Sequence, residues 1–128
     1  MLKSYKFSLL WATVILVLCL VKPSGTMSKA LLIPHLDKIA HFGIHLILAC
    51  FMLYEYKQQY LQIPIRFLTI RVMIVGISYG IVIELLQRWT TTYRIFDIWD
   101  IFANITGTIC GALIIIIFFK KTNKYERF

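Results

Sequence analysis

A small set of residues has the side-chain types and spacing for chemistry in an otherwise apolar chain: Asp37, Lys38, His41 and His45, then Glu84 and Gln87, then Arg94, then Asp100 and Asn104. Carboxylates, imidazoles and a guanidinium brought together can pass protons, grip an anionic group or hold a cation. Glu84 demands the most explanation, because a carboxylate in an apolar helix needs a proton, a cation or several hydrogen-bond donors. Glu84 or His41 suits the role of acid or base, a neighbouring carboxylate would set its protonation state, and Arg94 suits an anionic substrate group. No recognisable nucleophile motif accompanies them. Cys19, Cys50 and Cys110 all lie within apolar runs, where a thiol behaves as a small hydrophobe, and their spacing matches neither a disulfide framework nor a metal motif. His41 and His45 share a helix face, so a metal site with Glu84 is sterically conceivable. The stretch from His41 to His45 lacks the internal glutamate of the zinc-protease motif, however, and no metal and no cofactor are expected.

The elements that position these residues are apolar helices. The 128 residues are 59% hydrophobic and 15% aromatic, with a mean hydropathy of +0.76, which is too apolar for a water-soluble domain of this size. The sequence therefore predicts an all-α, polytopic membrane helical bundle, a single domain over residues 1–128 whose first partner is the lipid bilayer. Four apolar segments, residues 7–21, 36–56, 67–86 and 101–119, can each cross a hydrocarbon core of ~30 Å as a helix, the shorter ones by snorkelling. The first also resembles a secretory signal core. Around Leu20, Val21 and Lys22 it lacks a small-x-small cleavage site, so it is expected to stay as a span. The net charge of +8 does not indicate nucleic acid, because the basic residues lie between and beyond the apolar runs and not on one face.

Those basic residues set the orientation. Lys3, Lys6, Lys57, Arg66, Arg71, Lys120, Lys121, Lys124 and Arg127 fall on one side, against Lys22, Lys29, Lys38, Arg88 and Arg94 on the other. The bias that retains Lys and Arg inside predicts four transmembrane helices with both termini cytoplasmic. The polar residues then gather in one outward-facing layer. Gly76, Gly80 and Glu84 recur every four residues, and Asp100, Asn104, Gly107 and Gly111 follow spacings of four, three and four, so each polar group heads a small-residue stripe suited to close helix packing. His45, further along the second span, is expected to meet an interior partner, and Ile115 is assigned to the lipid side. In the segment 88–100, Trp89, Tyr93, Phe96 and Trp99 suit a headgroup-level belt from which Arg94 meets Glu84 or a lipid phosphate. Proton or ion transport would need polar groups across the whole bilayer, and the inner halves of the spans offer almost none apart from Arg71.

Taken together, Asp37-Lys38-x-x-His41-Phe42, Glu84-x-x-Gln87, and Arg94 followed by Asp100, Asn104, Gly107 and Gly111 resemble the VanZ-like family over residues 37–111. Two departures are visible: His45 stands where a tyrosine is expected, and residues 90–93 replace a Pro-Gly turn. The resemblance implies a multi-pass protein of the bacterial cytoplasmic membrane and, from founding members, a link to teicoplanin resistance. On it rests the expectation of an outward-facing polar pocket, formed by Asp37, Lys38, His41, Glu84, Gln87, Arg94, Asp100 and Asn104, that binds a lipid-linked cell-envelope precursor or a glycopeptide. The alternative is a membrane-embedded enzyme acting on a lipid-linked substrate by acid/base chemistry.

Overall fold

The computed structural model describes residues 2–22, 24–30, 33–92 and 95–122. A 3-10 turn, Leu2–Tyr5, leads into α1 (Lys6–Leu20), followed by α2 (Gly25–Ala30), α3 (Leu36–Gln59), α4 (Ile65–Thr90) and α5 (Ile98–Thr122), with no strand among the described residues. The helix starts follow from local chemistry. Pro64 stands at the N-cap of α4 with φ −55, a value its ring imposes, and its carbonyl accepts from the Phe67 amide (3.1 Å). Asp97 precedes α5 and accepts a hydrogen bond from the Trp99 amide (2.9 Å), satisfying one of the donors that a helix start leaves orphaned. His35, before α3, takes a left-handed φ of 66, and Asp37 in the first turn faces the positive end of the helix dipole.

Helices α3, α4 and α5 contain 24, 26 and 25 residues and are the three described helices long and apolar enough to cross a membrane. At ~1.5 Å per residue each reaches beyond ~30 Å, whereas the 15 residues of α1 make a shorter apolar helix of about 22 Å. Only 28%, 33% and 28% of the apolar windows of α3, α4 and α5 are buried inside the bundle, so most of their hydrophobic surface, Ile74 and Ile117 included, needs lipid to cover it. The buried positions form one stripe per helix. On α4 these are Ile65, Leu68, Val72, Gly76, Gly80, Ile83, Glu84 and Gln87, at steps of three and four.

The closest pairing is between α3 and α5. A Cβ added to Gly107 would lie 2.2 Å from the Phe42 carbonyl oxygen, and one added to Gly111 would lie 2.2 Å from that of Leu46. Backbone therefore touches backbone along this seam, an approach that only glycine permits. On α4, Gly76 packs beneath Thr108 and Gly80 beneath Asn104 and His45. Helix α1 leans on α3 and α4, where Ile15 and Cys19 join Leu48 and Ile83 in a small core. Ile115 is half-buried against the cluster of Leu53, Leu68 and Phe119, so the lipid-side assignment made from sequence is corrected.

The end of the bundle opposite the polar layer also differs from expectation, because it buries two charged residues of α3. Glu55 accepts from the amide of Phe7 (2.9 Å), from the amide of Ser8 (3.1 Å) and from the Ser8 hydroxyl. It thus caps the start of α1 from a neighbouring helix. Lys57 is 1% exposed, and its Nζ donates to the carbonyls of Leu61 (3.1 Å) and Ile63 (2.9 Å), tying down the α3–α4 connection. Both charges are spent on helix ends and do not continue a polar path.

Candidate functional site

Three helix ends meet at the other pole: the first turns of α3, the last turns of α4 and the first turns of α5. His41 is 2% exposed and projects from α3 towards α5. Its Nδ1 lies 3.1 Å from Asn104 Oδ1, and Asn104 in turn donates from Nδ2 to the Gly80 carbonyl (3.4 Å). Because an amide oxygen can only accept, Nδ1 donates this bond. Nε2 is 3.8 Å from Asp37 Oδ1, one turn earlier on α3, and 3.9 Å from Asp100 Oδ2 on α5. Asp100 is 3% exposed, and its Oδ1 has no hydrogen-bond partner. Lys38 Nζ comes within 3.6 Å of that oxygen but is committed to Asp97 Oδ2 at 2.7 Å. That bond, helped by the Trp99 amide, holds the Asp97 carboxyl below the usual carboxylate range.

Glu84 lies beside this group. Its Oε1 accepts from the Asp97 amide (3.2 Å), while Oε2 is buried without a hydrogen-bond partner. Asp37, Lys38, His41 and Glu84 all act electrostatically on Asp100, so the set is one field and not a scatter of separate residues. Of the sequence-derived site residues, the structure brings together Asp37, Lys38, His41, Glu84, Asp100 and Asn104. Gln87 faces elsewhere: its Nε2 donates to the Cys19 carbonyl (2.9 Å) and fastens the end of α1 to α4. His45 is fully buried against Tyr79, and neither ring nitrogen has a hydrogen-bond partner. Arg94 and Tyr93 lie outside the described residues. Trp89 and Trp99, on either side of them, are 75% and 63% exposed, positions suited to a headgroup layer.

Sequence reasoning missed Asp97. The signal was present, since an aspartate immediately ahead of a long apolar run, with a second acidic residue three positions on, is a helix-start pattern. Its partnership with Lys38 crosses from α3 to the start of α5 and depends on the α3–α5 seam, which spacing does not disclose.

The layer opens at Asp37, Lys38 and Asp97, whose side chains are each about a third exposed. A separate cavity of about 530 Å³ lies between α1, α3 and α4, lined by Leu9, Leu48, Met52 and Val75 among others, with Arg71 and Tyr56 also on its wall. Its walls are almost entirely apolar, so it suits a hydrocarbon chain and not the chemistry of the polar layer.

The family described as VanZ/LLP1 matches residues 3–119, nearly the whole chain. An uncharacterized protein of the fission yeast Schizosaccharomyces pombe is 26% identical over 110 residues, which cover 84% of this chain and 64% of that protein. The chain thus spans less than two thirds of the length of this relative, and the relative comes from a fungus and not a bacterium. No solved structure matches. Three long apolar helices, a polar layer where their ends meet, and a family match running from the first helix to the last lead to one identification: the chain belongs to the VanZ/LLP1 family.

Proposed function

We propose that this protein is a four-span protein of a bacterial cytoplasmic membrane whose outward-facing polar layer binds the head of a cell-envelope lipid, a lipid-linked precursor or a glycopeptide, and so contributes to teicoplanin resistance. The observation that carries this reading is the pair of buried, unpartnered carboxylate oxygens on Glu84 and Asp100, beside a histidine and open to solvent at Asp37. Groups so placed cost folding energy and are retained where a ligand completes them. Glu84 and Asp100 each keep a buried oxygen without a hydrogen bond, which suits an ammonium group, or an anion carried by a cation, better than a bare phosphate. Purifying the protein with its native lipids, as wild type and as Glu84→Ala, tests this: a specific envelope compound should accompany the wild type and be lost from the variant. Identical compounds in both samples would remove the site from the account.

The orphaned Glu84 oxygen also favours a second reading, an acid/base enzyme acting on a lipid-linked substrate. Chemical conversion of the co-purified compound by the wild type, absent in Glu84→Ala, would select it.

The orientation rests on the distribution of Lys and Arg. Lys57, whose ammonium is spent on loop carbonyls, contributes least to that bias, and the inner set still outnumbers the outer without it. Reporters active only outside the cell should be silent when fused after Lys121 and active when fused after Tyr93. The reverse pattern would turn the polar layer towards the cytoplasm.

A further inference from the structure

We propose that Asp37, His41 and Asp100 form a binding site for a divalent transition-metal ion of the zinc or manganese class. One donor atom from each, an imidazole nitrogen and two carboxylate oxygens, lies within 4.8 Å of the others. The separations of 3.8 and 3.9 Å from His41 Nε2 to the two carboxylates are too long for hydrogen bonds. Bonds of ~2.1 Å at a tetrahedral angle would set donors about 3.4 Å apart, so the two His41 separations need to close by only a few tenths of an ångström, while rotation of the two aspartates must bring their own oxygens, within 4.8 Å of each other, closer still.

Three further observations bear on the same group of residues. Asn104 accepts from His41 Nδ1 and is itself anchored to the Gly80 carbonyl, the arrangement by which a second residue fixes the tautomer and ring angle of a metal-binding histidine. Asp100, one of the ligands, is 3% exposed; its Oδ2 faces His41, while its Oδ1 makes no hydrogen bond and lies 3.6 Å from Lys38 Nζ, and Glu84, 2% exposed and within electrostatic reach of Asp100, keeps a buried oxygen without a hydrogen bond. The buried carboxyl groups of Asp100 and Glu84 supply charge that a dication offsets. The mixed nitrogen and oxygen donors favour zinc or manganese over calcium, which takes oxygen alone. Asp37, a third exposed, leaves the ion open to the outer surface, where a further position can accept water or an anionic ligand group. The earlier candidate set of His41, His45 and Glu84 is not the one that assembles, because the ring of His45 lies one turn deeper against Tyr79. The metal site stands or fails separately from the lipid or glycopeptide reading.

The test uses the full-length protein in detergent, stripped with a chelator and titrated calorimetrically with zinc and manganese salts, with metal content measured after desalting. One equivalent per chain is expected. Asp37→Asn, at a partly exposed position, and Asp100→Asn should each weaken binding at least tenfold, and Asn104→Leu should weaken it through loss of histidine orientation. His35→Ala, at an exposed histidine outside the set, should bind as wild type does. Absence of stoichiometric binding by both ions, wild-type affinity in Asp37→Asn and Asp100→Asn, or loss in His35→Ala would overturn the site.

Discussion

Gly107→Leu is expected to prevent assembly of the α3–α5 pair, and Gly107→Ala to lower the melting temperature in detergent sharply. The first added carbon already lies 2.2 Å from the Phe42 carbonyl oxygen and 3.2 Å from the Leu46 amide nitrogen, and a backbone atom cannot rotate away as a side chain can. The two helices must separate, which costs about 1–3 kcal/mol for a modest overpacking and more for a leucine. Separation also breaks the contacts that hold Asp100 and Asn104 against His41, so ligand or metal binding should fall with stability. Gly43→Ala is the matched control. An added Cβ there meets nothing within 4 Å, and exchanging a mid-helix glycine for alanine stabilises a helix by roughly 0.5–1 kcal/mol. Thermal denaturation of the three variants beside wild type checks this, and equal melting temperatures would mean that the seam is not where the structure places it.

The second large effect concerns the polar layer. If the proposed function holds, Glu84→Gln and Asp100→Asn should each abolish any resistance the protein confers while leaving its membrane abundance largely intact. Both substitutions conserve size and remove one charge, so local packing is kept. The double variant should be no worse than either single one. Glu84 holds the Asp97 amide and Asp100 faces His41 at the same helix start, so removing either disables one shared structure. Arg94→Gln belongs to the same series on sequence grounds. Lys29→Gln, in the exposed α2 helix, should be silent.

Much of this architecture was legible from residue order because a bilayer simplifies the problem. The apolar runs at 36–56, 67–86 and 101–119 lie within α3, α4 and α5, since chain crossing hydrocarbon must satisfy its own backbone and a helix does so locally. The spacing of Asp100, Asn104, Gly107 and Gly111 could be read as one face, because helical periodicity is local too. What escaped depended on pairing between helices. Glu55 caps α1 across a distance in sequence that no spacing rule covers, and Lys57 looks like a headgroup-facing lysine until the loop carbonyls that surround it are seen. Gln87 falls on the same α4 face as Glu84, but turns to α1 and not to the polar layer. The grouping of Asp37 with Asp100 likewise follows from the α3–α5 seam, which is set by two glycine–carbonyl contacts.

The most direct test of the central claim, that the buried polar layer is where the protein acts, is a teicoplanin susceptibility assay in a sensitive bacterial host with expression matched by immunoblot of the membrane fraction. The account predicts that wild type and Lys29→Gln raise resistance equally, while Glu84→Gln, Asp100→Asn and their combination all fall to the level of the empty vector at unchanged abundance. Full resistance in the two charge-removing variants, or losses that simply track lost protein, would contradict it.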